Sequence, residues 1–411
     1  MSTTSDVTEA RSAAPGLGFP RLSGSPTSPL GWPGPDTVSR ETSPEQDVVV
    51  SRETPPEQPV TASVTEVEAP IPTEPAAPTP RSGETPQEHP RPVDDDFAER
   101  AQIAAAIPGA DHQSPLARAV AEDARKRITL SGRNVPRPPR TRVLTVANQK
   151  GGVGKTTTTV NVAAALAQAG STVLVIDLDP QGNASTALGI DHHAEVPSVY
   201  DVLVEGTPIE DVVQTCPDIR NLTCIPATID LAGAEIELVS LVARETRLEK
   251  AVTAYVDARA ASGDRLDYVL IDCPPSLGLL TVNAFVAATE VFIPIQCEYY
   301  ALEGLSQLLK NIELIRNHLN PRLHVSTILL TMYDGRTRLS AQVADEVREH
   351  FPDQTLRATV PRSVRISEAP SHGETVMTYD PNSSGALSYL EAAVELAERG
   401  VAVRENTEET A

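Results

Sequence analysis

The sequence predicts an α/β fold in which a doubly wound, mostly parallel sheet follows a long disordered N-terminal tail. From Arg142 onward, short apolar runs rich in β-branched residues alternate with helical patterns. Such runs are typical of strands buried on both faces, and their alternation with helices indicates a parallel sheet with helices on each side. Proline dominates before that point, since 18 of the 36 prolines in the 411 residues lie at or before Pro92.

The tail is expected to cover residues 1–112. Its apolar residues are mainly isolated Val and Ala, and Phe19 and Trp32 are the aromatic residues that precede Phe97. This composition buries too little apolar surface to offset the entropy of ordering the chain. The pentapeptide Val-Ser-Arg-Glu-Thr occurs twice, and two such polar copies are too few to stack as a solenoid.

Residues 113–140 are predicted to form a short helix and a linker. Ser114 suits the N-cap and Pro115 the first helical position of a helix that ends near Leu130. This helix either covers the main domain or binds a partner. Three prolines within residues 133–140 indicate an extended linker.

Residues 141–400 are expected to form the main domain, and residues 401–411 a disordered C-terminal end. The predicted strands are 143–147, 173–177, 222–225, 268–272, 291–295 and 325–330. The predicted helices are 156–169, 236–259, 302–319, 340–350 and 386–399. Ligands of such folds bind at the carboxyl ends of the strands.

The overall composition excludes several classes of protein. A net charge of −22 argues against binding to nucleic acid or acidic lipid through overall charge, although a local basic patch remains compatible with it. The four cysteines have no Cys-x-x-Cys spacing, which argues against a disulfide framework and against a zinc or iron–sulfur site. No apolar run approaches the roughly 18 residues of a membrane span, so we expect a soluble, intracellular protein.

The strongest motif is Lys150-Gly-Gly-Val-Gly-Lys-Thr-Thr157, which lies between the first predicted strand and a helix. Glycines let the backbone wrap so that consecutive N–H groups point at phosphate oxygens, and the helix N-terminus adds positive potential. In such a loop Lys155 reaches the β- and γ-phosphates, and the Thr156 hydroxyl completes the Mg²⁺ shell. The motif therefore predicts a nucleotide site.

Three carboxylates lie where strands are predicted to end. Asp177 and Asp179 close one strand, and because alternate side chains share a face they are expected to point in the same direction. Asp272 ends another strand, where a Walker B carboxylate is expected. Phosphoryl transfer needs Mg²⁺, oriented charge and a positioned water, and these residues fit that need.

Residues 142–400 resemble a chromosomal ParA (Soj-like) partitioning ATPase of the ParA/MinD deviant Walker A family, which has a P-loop NTPase fold. The extra lysine at Lys150 matches the deviant loop. Three further segments are similar to those of the family, and they separate it from other deviant Walker ATPases: 296–305, 332–339 and 361–373.

The resemblance implies a role for each matching residue. Lys150 would reach across a dimer to the partner's phosphates, Asp179 would orient the attacking water, and Asp177 would support the switch. The expected catalytic residues are thus Lys150, Lys155, Asp177 and Asp179. The expected ATP-binding residues are Lys150, Gly151, Gly152, Val153, Gly154, Lys155, Thr156, Thr157, Pro361 and Ser363. Thr156 and Asp272 would hold Mg²⁺, and Arg336 and Arg365 would bind DNA.

The resemblance also implies a function and partners. The protein would hydrolyse ATP with Mg²⁺, form an ATP-dependent homodimer on non-specific double-stranded DNA, and be released when ParB stimulates hydrolysis. It would act in the cytoplasm on the nucleoid, without a membrane, and any pole-anchoring partner is unknown. A local charge of +2 over residues 303–366, inside a chain of −22, agrees with a DNA surface.

Other members of the same superfamily provide the alternatives. A MinD-like membrane-cycling positioning ATPase would need a basic amphipathic C-terminal helix. Here the C-terminal end is acidic and interrupted by Gly400, which disfavours membrane binding. An iron–sulfur carrier would need bridging cysteines, and an ATP-dependent amidoligase or synthetase would need a pocket for a second substrate.

Overall fold

The computed structural model describes residues 115–130 and 132–408. The predicted tail at residues 1–112, with Trp32 and the repeated pentapeptide, lies outside the described residues, as does the N-cap at Ser114. The α/β fold class is confirmed for the part of the chain that is described, because a mostly parallel sheet forms its centre.

The sheet contains eight strands in the order β3-β4-β2-β5-β1-β6-β7-β8. All neighbouring strands are parallel except β3 and β4, which pair antiparallel at one edge. The strands are β1 (Arg142–Val146), β2 (Val173–Asp177), β3 (Gln214–Thr215), β4 (Leu222–Ile225), β5 (Tyr268–Asp272), β6 (Glu290–Gln296), β7 (His324–Tyr333) and β8 (Thr355–Pro361).

Helices connect the strands. They are α1 (Pro115–Leu130), α2 (Lys155–Gln168), α3 (Asn183–Ala187), α4 (Leu231–Ser240), α5 (Arg247–Ala261), α6 (Leu279–Ala287), α7 (Ala301–His318), α8 (Arg338–His350), α9 (Val364–Glu368), α10 (Val376–Tyr379) and α11 (Ser384–Glu408). A π-helical turn (Asp201–Glu205) and three 3₁₀ turns (Ile209–Asp211, Arg244–Thr246, Ala369–His372) complete the described elements.

Alternating side chains of the strands feed two apolar cores, one on each face of the sheet. In β2, Val173 and Val175 belong to the core that contains α2 and α11. Leu174 and Ile176 belong to the other core, which contains α4 to α8. Since successive side chains of a strand point to opposite faces, both faces must be covered, and helices cover both.

The structure differs from the sequence prediction in several elements. Strands β3 and β8, helix α6 and the short helices α3, α9 and α10 are absent from the prediction, and the helix predicted over 236–259 is two helices. The break falls at residues 241–246, where Leu241 is extended and Ala243 has a φ of 53°. Helix α6 lacks a polar face because seven of its nine residues are buried, so the helical period is hidden.

Helix α11 continues past Gly400 to Glu408, although the sequence predicts a disordered end from 401 onward. A single glycine in a helix costs only about 1 kcal/mol, which an established helix tolerates. Gly400 has a packing reason, because a Cβ there would lie 2.5 Å from the Arg142 guanidinium. The correction leaves the acidic composition of this end unchanged.

Arg142 forms a buried ion pair across the sheet. Its guanidinium donates to both carboxylate oxygens of Glu290 at 2.8 and 2.6 Å, and each side chain is 11% exposed. It also donates to the Leu396 carbonyl of α11 at 2.8 Å. Burial alone raises the pKa of Glu290, but the Arg142 partner brings this pKa below its ordinary value. The pair therefore fastens α11 to strands β1 and β6.

Helix α1 docks on the main domain, which is the first of the two alternatives for this segment. Lys126 pairs with Glu391 of α11 at 2.6 Å, and Arg127 donates to the Asn382 carbonyl at 2.8 Å. In the linker, the Arg137 guanidinium binds the buried carboxylate of Asp267 at 3.0 Å. Within residues 115–130 and 132–408, no helix is long and apolar enough to cross a membrane.

We predict that Arg142→Ala lowers the free energy of unfolding by about 3–5 kcal/mol, because it leaves the Glu290 charge buried without its partner. A pair that lowers a carboxyl pKa stabilises the fold above the ordinary pKa, so the loss is full at pH 7 and shrinks below about pH 4.5. Urea titration measures both values. Arg322→Ala is the matched control: it breaks an exposed pair with Glu249 and should cost at most about 1 kcal/mol. Equal losses in the two variants would contradict the role of burial.

Candidate nucleotide-binding site

The glycine-rich loop runs from the end of β1 to the first turn of α2. Gly152 and Gly154 have φ values of 72° and 89°, in the left-handed region that favours glycine. No atom lies within 4 Å of the position that a Cβ of Gly151 or Gly152 would occupy. The loop therefore leaves open space above its backbone, directly before the N-terminus of a 14-residue helix. This is the geometry of an anion cradle.

Two buried polar residues outside the motif hold the loop in place. The Thr331 hydroxyl of β7 donates to the Val153 carbonyl at 2.8 Å. The Asn148 side chain donates to the Pro294 carbonyl at 2.9 Å and accepts from the Lys150 backbone N–H at 3.0 Å. Neither residue was singled out from the sequence. The sequence feature that could have identified them is a polar residue near the end of a mostly apolar strand.

Lys155 lies at the start of α2 and is only 7% exposed. Burial lowers the pKa of its ammonium group, and the nearby Asp272 carboxylate opposes that shift. A buried cation needs a compensating negative charge. A phosphate group above the loop would supply that charge.

The carboxylates come together because three parallel strands end in register. Val146 of β1 pairs with Asp272 of β5, and Asp272 pairs with Asp177 of β2. Both Asp177 and Asp272 are fully buried. Asp177 and Asp272 therefore lie on adjacent strands beside the loop.

Asp272 has an unsatisfied oxygen. Its Oδ1 accepts from the Thr159 hydroxyl at 3.0 Å, whereas its buried Oδ2 has no hydrogen-bond partner among the described residues. Burial raises its pKa to about 8, and the neighbouring Asp177 adds to the shift. Thr156 lies one helical turn before Thr159. The orphaned carboxylate oxygen and this hydroxyl fit Mg²⁺, which prefers oxygen ligands.

Asp177 supports the loop that carries Asp179. Its carboxylate accepts from the Asp179 N–H at 3.2 Å, and from the Ser185 N–H and hydroxyl at 2.9 and 2.8 Å. Burial raises its pKa to about 6. Asp177 and Asp179 are expected from the sequence to point in the same direction, because side chains alternate along a strand. Strand β2 ends at Asp177, so this alternation does not extend to Asp179. Asp179 lies in the turn, half-buried, and accepts from the Gln181 N–H at 3.1 Å.

Lys150 is paired within its own chain. Its ammonium lies 2.8 Å from Glu298 Oε2, and the Gln296 side chain donates to the other oxygen of Glu298. Both members of the pair are about half-exposed, with side-chain exposures of 37% and 46%. The sequence motif does not reveal Glu298, because this residue lies just after β6, 148 positions later.

Pro361 and Ser363 lie at the end of β8 and before α9, on the same edge of the sheet as the loop. A cavity of about 270 Å³ also adjoins the loop, but these two residues do not line it. Its lining includes Thr156, Thr157, Asn183 and Glu374. The cavity therefore lies between α2, α3 and the segment from α9 to α10, and the expected ATP-binding residues Pro361 and Ser363 are not among its lining residues.

Arg336 and Arg365 are exposed and already paired with carboxylates. Arg336 binds Asp334 at 2.9 Å and lowers the pKa of Asp334 to about 2. Arg365 lies 3.2 Å from Glu368 and 3.5 Å from Asp380. A DNA phosphate would have to compete with these partners.

The described residues show how the metal-ligating side chains of this part of the chain are arranged. Within the described part of the chain, no group of three or more His, Cys, Asp or Glu side chains is arranged to hold a metal ion. The four cysteines are buried thiols, and burial raises the pKa of each. Magnesium held by a threonine and an aspartate is compatible with this finding.

Comparison with known proteins identifies relatives over the main domain. Residues 141–325 match a family model described as an AAA domain. The chain is 51% identical over 259 residues to the sporulation initiation inhibitor protein Soj of Bacillus subtilis, covering 63% of this chain and 99% of that protein. It is 52% identical to the chromosome partitioning protein ParA of Caulobacter vibrioides, covering 94% of that protein.

Solved structures give the same fold. Cobyrinic acid a,c-diamide synthase from Mycobacterium smegmatis, with bound ATP analogue and magnesium, is 39% identical with a TM-score of 0.52, over 62% of this chain and 93% of that one. The cell division ATPase MinD of Pyrococcus furiosus is 26% identical with a TM-score of 0.51, over 64% and 99% of the two chains.

We predict that Gly152→Ala weakens ATP binding about ten-fold or more, because a methyl group would occupy the anion cradle and strain the loop. The matched control is Gly263→Ala, at a φ of 84° and with no atom within 4 Å, in a turn far along the chain from the loop. Both variants should lose about 1–2 kcal/mol of stability from the positive φ. Calorimetric titration with ATP and Mg²⁺ measures the affinity, and equal ATP affinity in the two variants would exclude the cradle.

Proposed function

The chain belongs to the ParA (Soj) family of chromosome-partitioning ATPases, and we propose that it moves DNA through a cycle in which ATP closes a homodimer on the nucleoid. The observation that carries the proposal is the meeting of the glycine-rich loop, the buried Lys155 and the orphaned Asp272 oxygen at one edge of the sheet. The space above the loop is open, Lys155 is buried beside it, and the Asp272 oxygen has no hydrogen bond among the described residues; ATP with Mg²⁺ would complete all three.

Several residues of this chain act on the nucleotide. The backbone N–H groups from Gly151 to Thr157 bind the phosphates, and Lys155 neutralises the terminal ones. Thr156 and Asp272 would hold Mg²⁺ through the threonine hydroxyl and the carboxylate. When bound, Mg²⁺ neutralises the negative charge that develops on the phosphate oxygens.

Asp179 orients the attacking water. It lies on the loop that Asp177 and Ser185 hold in place, within reach of the electrostatic field of Lys155. Orientation of the water and neutralisation of charge are together sufficient for phosphoryl transfer. Hydrolysis is slow in one protomer because the second charge, Lys150 of the other copy, is missing from it.

Dimerisation requires Lys150 to leave Glu298. In the protomer the pair is only partly buried, so its contribution to stability is small. A phosphate group of the partner's nucleotide carries more negative charge than one carboxylate and competes for the lysine. Glu298 therefore acts as the monomer's resting partner for Lys150.

DNA binds through Arg336 and Arg365, which lie in the segment 303–366. The net charge of this segment is +2, so one protomer would bind DNA phosphates weakly. Two protomers together would bind them more tightly. Such contacts reach phosphates and carry no sequence information. ParB then stimulates hydrolysis, and the dimer comes off the DNA. We place this cycle in the cytoplasm, on the nucleoid.

Two other functions are compatible with the fold. A membrane-cycling role like that of MinD is disfavoured by the acidic residues that follow Arg399. Amide formation is the second candidate, because a 39% identical structure carries the name of a diamide synthase. ATP hydrolysis that depends on DNA and ParB, without any acid substrate, separates partitioning from synthesis.

We predict that Asp179→Ala binds ATP and stays on DNA but hydrolyses ATP about 100-fold more slowly, since only the positioning of water is lost. Lys155→Ala should already be impaired in binding the nucleotide and should therefore show no nucleotide-dependent behaviour. Phosphate release with DNA and ParB present measures the rate, and sedimentation with DNA measures retention. A normal rate for Asp179→Ala would remove this residue from the mechanism.

We predict that Lys150→Ala binds ATP but dimerises poorly, whereas Glu298→Gln dimerises at lower protein concentration than wild type. The first variant removes the cross-dimer contact, and the second removes the carboxylate that holds Lys150 in the monomer. Analytical sedimentation with ATP and Mg²⁺ measures both. The cross-dimer role fails if the dimer population of Lys150→Ala equals that of wild type.

We predict that Arg336→Glu and Arg365→Glu weaken binding to every DNA sequence alike and leave ATP-dependent dimerisation intact. Filter binding at low salt with two unrelated duplexes measures the effect. Arg322→Glu is the control, because this arginine is also exposed and paired but lies on the opposite end of β7. If Arg336→Glu and Arg365→Glu bind as wild type does, the DNA surface lies elsewhere.

A further inference from the structure

Thr159 contacts two groups of the nucleotide site from within helix α2. Its side chain is fully buried, and its hydroxyl lies 3.0 Å from the Lys155 carbonyl and 3.0 Å from Asp272 Oδ1. A hydroxyl has one proton to donate, and both of these oxygens are acceptors when Asp272 is ionised. The role of Thr159 therefore depends on which of the two oxygens receives the proton.

The contact with the Lys155 carbonyl is an ordinary feature of helices. Serine and threonine side chains often donate to the carbonyl four residues earlier, and this bond slightly destabilises the helix. The same carbonyl accepts the backbone N–H four residues later as part of the helical pattern. It is thus already paired, and it does not need the Thr159 hydroxyl.

The contact with Asp272 is the stronger of the two when the carboxylate is ionised, because a hydrogen bond to a charged acceptor is about twice as strong as one between neutral groups. Among the described residues, Oδ1 accepts from the Thr159 hydroxyl, whereas the buried Oδ2 accepts no hydrogen bond. The two oxygens of this carboxylate therefore differ. Helix α2 holds one of them, and the other is left for a ligand.

The orientation of the Asp272 carboxylate is not determined by the sheet. The backbone of Asp272 is fixed by its register with β1 and β2. The terminal torsion of an aspartate, however, is broad and roughly two-fold, so the carboxylate plane can turn on a fixed backbone. A donor at Oδ1 restrains that plane, and the plane sets the direction of Oδ2. Thr159 supplies this donor from a neighbouring helix.

Thr159 also relates the carboxylate to Lys155. Side chains four positions apart lie on the same side of a helix, so Lys155 and Thr159 project from one side of α2. The charge of Asp272 acts on the Lys155 ammonium and opposes the lowering of its pKa by burial. One side of α2 therefore carries both the lysine for the phosphates and the hydroxyl that contacts the carboxylate for the metal.

We propose that Thr159 is a positioning residue of the magnesium site: its hydroxyl holds Asp272 Oδ1 and so directs Oδ2 toward the metal. This inference rests on the proposed function, since it concerns how the Mg²⁺ of the nucleotide is held. Thr159 does not touch the metal and acts through Asp272. Residues that hold a metal ligand in this way typically contribute about 10–100-fold to metal affinity.

The experiment uses matched substitutions in the full-length chain. Thr159→Val keeps the shape of the side chain and removes the hydroxyl. Thr158→Val is the control, because Thr158 is equally buried and no hydrogen bond joins it to Asp272 in the described structure. Thr159→Ser and Thr159→Ala form a second pair that differs only in the hydroxyl, and this pair decides the question if Thr159→Val does not fold. Calorimetric titration measures ATP affinity with saturating Mg²⁺ and, separately, with EDTA.

We expect Thr159→Val to lower ATP affinity about ten-fold or more with Mg²⁺, because the metal ligand loses its restraint. With EDTA its affinity should equal that of wild type, since the contacts of the loop with the phosphates remain. Thr159→Ala should show the same pattern, whereas Thr159→Ser and Thr158→Val should bind as wild type does in both conditions. The Mg²⁺ concentration that half-saturates ATP hydrolysis should rise in Thr159→Val and Thr159→Ala.

Three results would overturn the proposal: wild-type affinity of Thr159→Val with Mg²⁺, equal losses in Thr159→Val and Thr158→Val, or equal losses of Thr159→Val with Mg²⁺ and with EDTA. The last result would assign Thr159 to the shape of the loop through its contact with the Lys155 carbonyl. Failure of the proposed function is distinguishable, because wild-type protein would then show no ATP hydrolysis or no ATP-dependent dimer.

Discussion

Three parallel strands that end in register set the geometry on which the rest of the structure depends. Val146, Asp272 and Asp177 occupy paired positions on β1, β5 and β2. The glycine-rich loop leaves the sheet just after β1, so both carboxylates are placed beside it by backbone hydrogen bonds. A shift of one residue in this register would turn Asp272 to the opposite face of the sheet and remove it from the loop.

The two buried aspartates have different surroundings. Among the described residues, Asp177 accepts hydrogen bonds from Asp179 in the turn and from Ser185 in α3, so its burial stabilises one arrangement of this turn and helix. Asp272 keeps one oxygen without a hydrogen bond among the described residues, at a cost to the isolated protomer. Lys155 is likewise buried beside the loop. Buried charged groups of this kind are typical of a functional site.

Much of this site could be predicted from the sequence, because its signals are local. The loop motif lies between a strand and a helix, and Asp177 and Asp272 each follow an apolar run of four residues. Position along the chain therefore indicates position at the edge of the sheet. Asn148, Thr331 and Glu298 could not be predicted in this way, since each acts through contacts between distant segments. Strand β8 was not predicted for another reason. It carries a charged residue and ends in proline, so its sequence resembles an edge strand or a loop.

The same limits apply to surfaces. The sequence shows that α4 is apolar, but only the fold shows which of its apolar residues remain outside the core. The proposed DNA surface also depends on the fold, because Arg336 and Arg365 belong to different segments and both have carboxylate partners. Competition between those partners and DNA phosphates makes the expected binding weak per protomer and sensitive to salt.

The central claim is that the nucleotide at this edge controls attachment to DNA. The most direct test measures binding of the wild-type protein to one unrelated DNA duplex with ATP, with ADP and without nucleotide, at about 0.1 M salt. We expect DNA binding to be about ten-fold or more tighter with ATP than with ADP or without nucleotide. We also expect it to fall steeply as the salt concentration increases. Equal binding in all three states would contradict it.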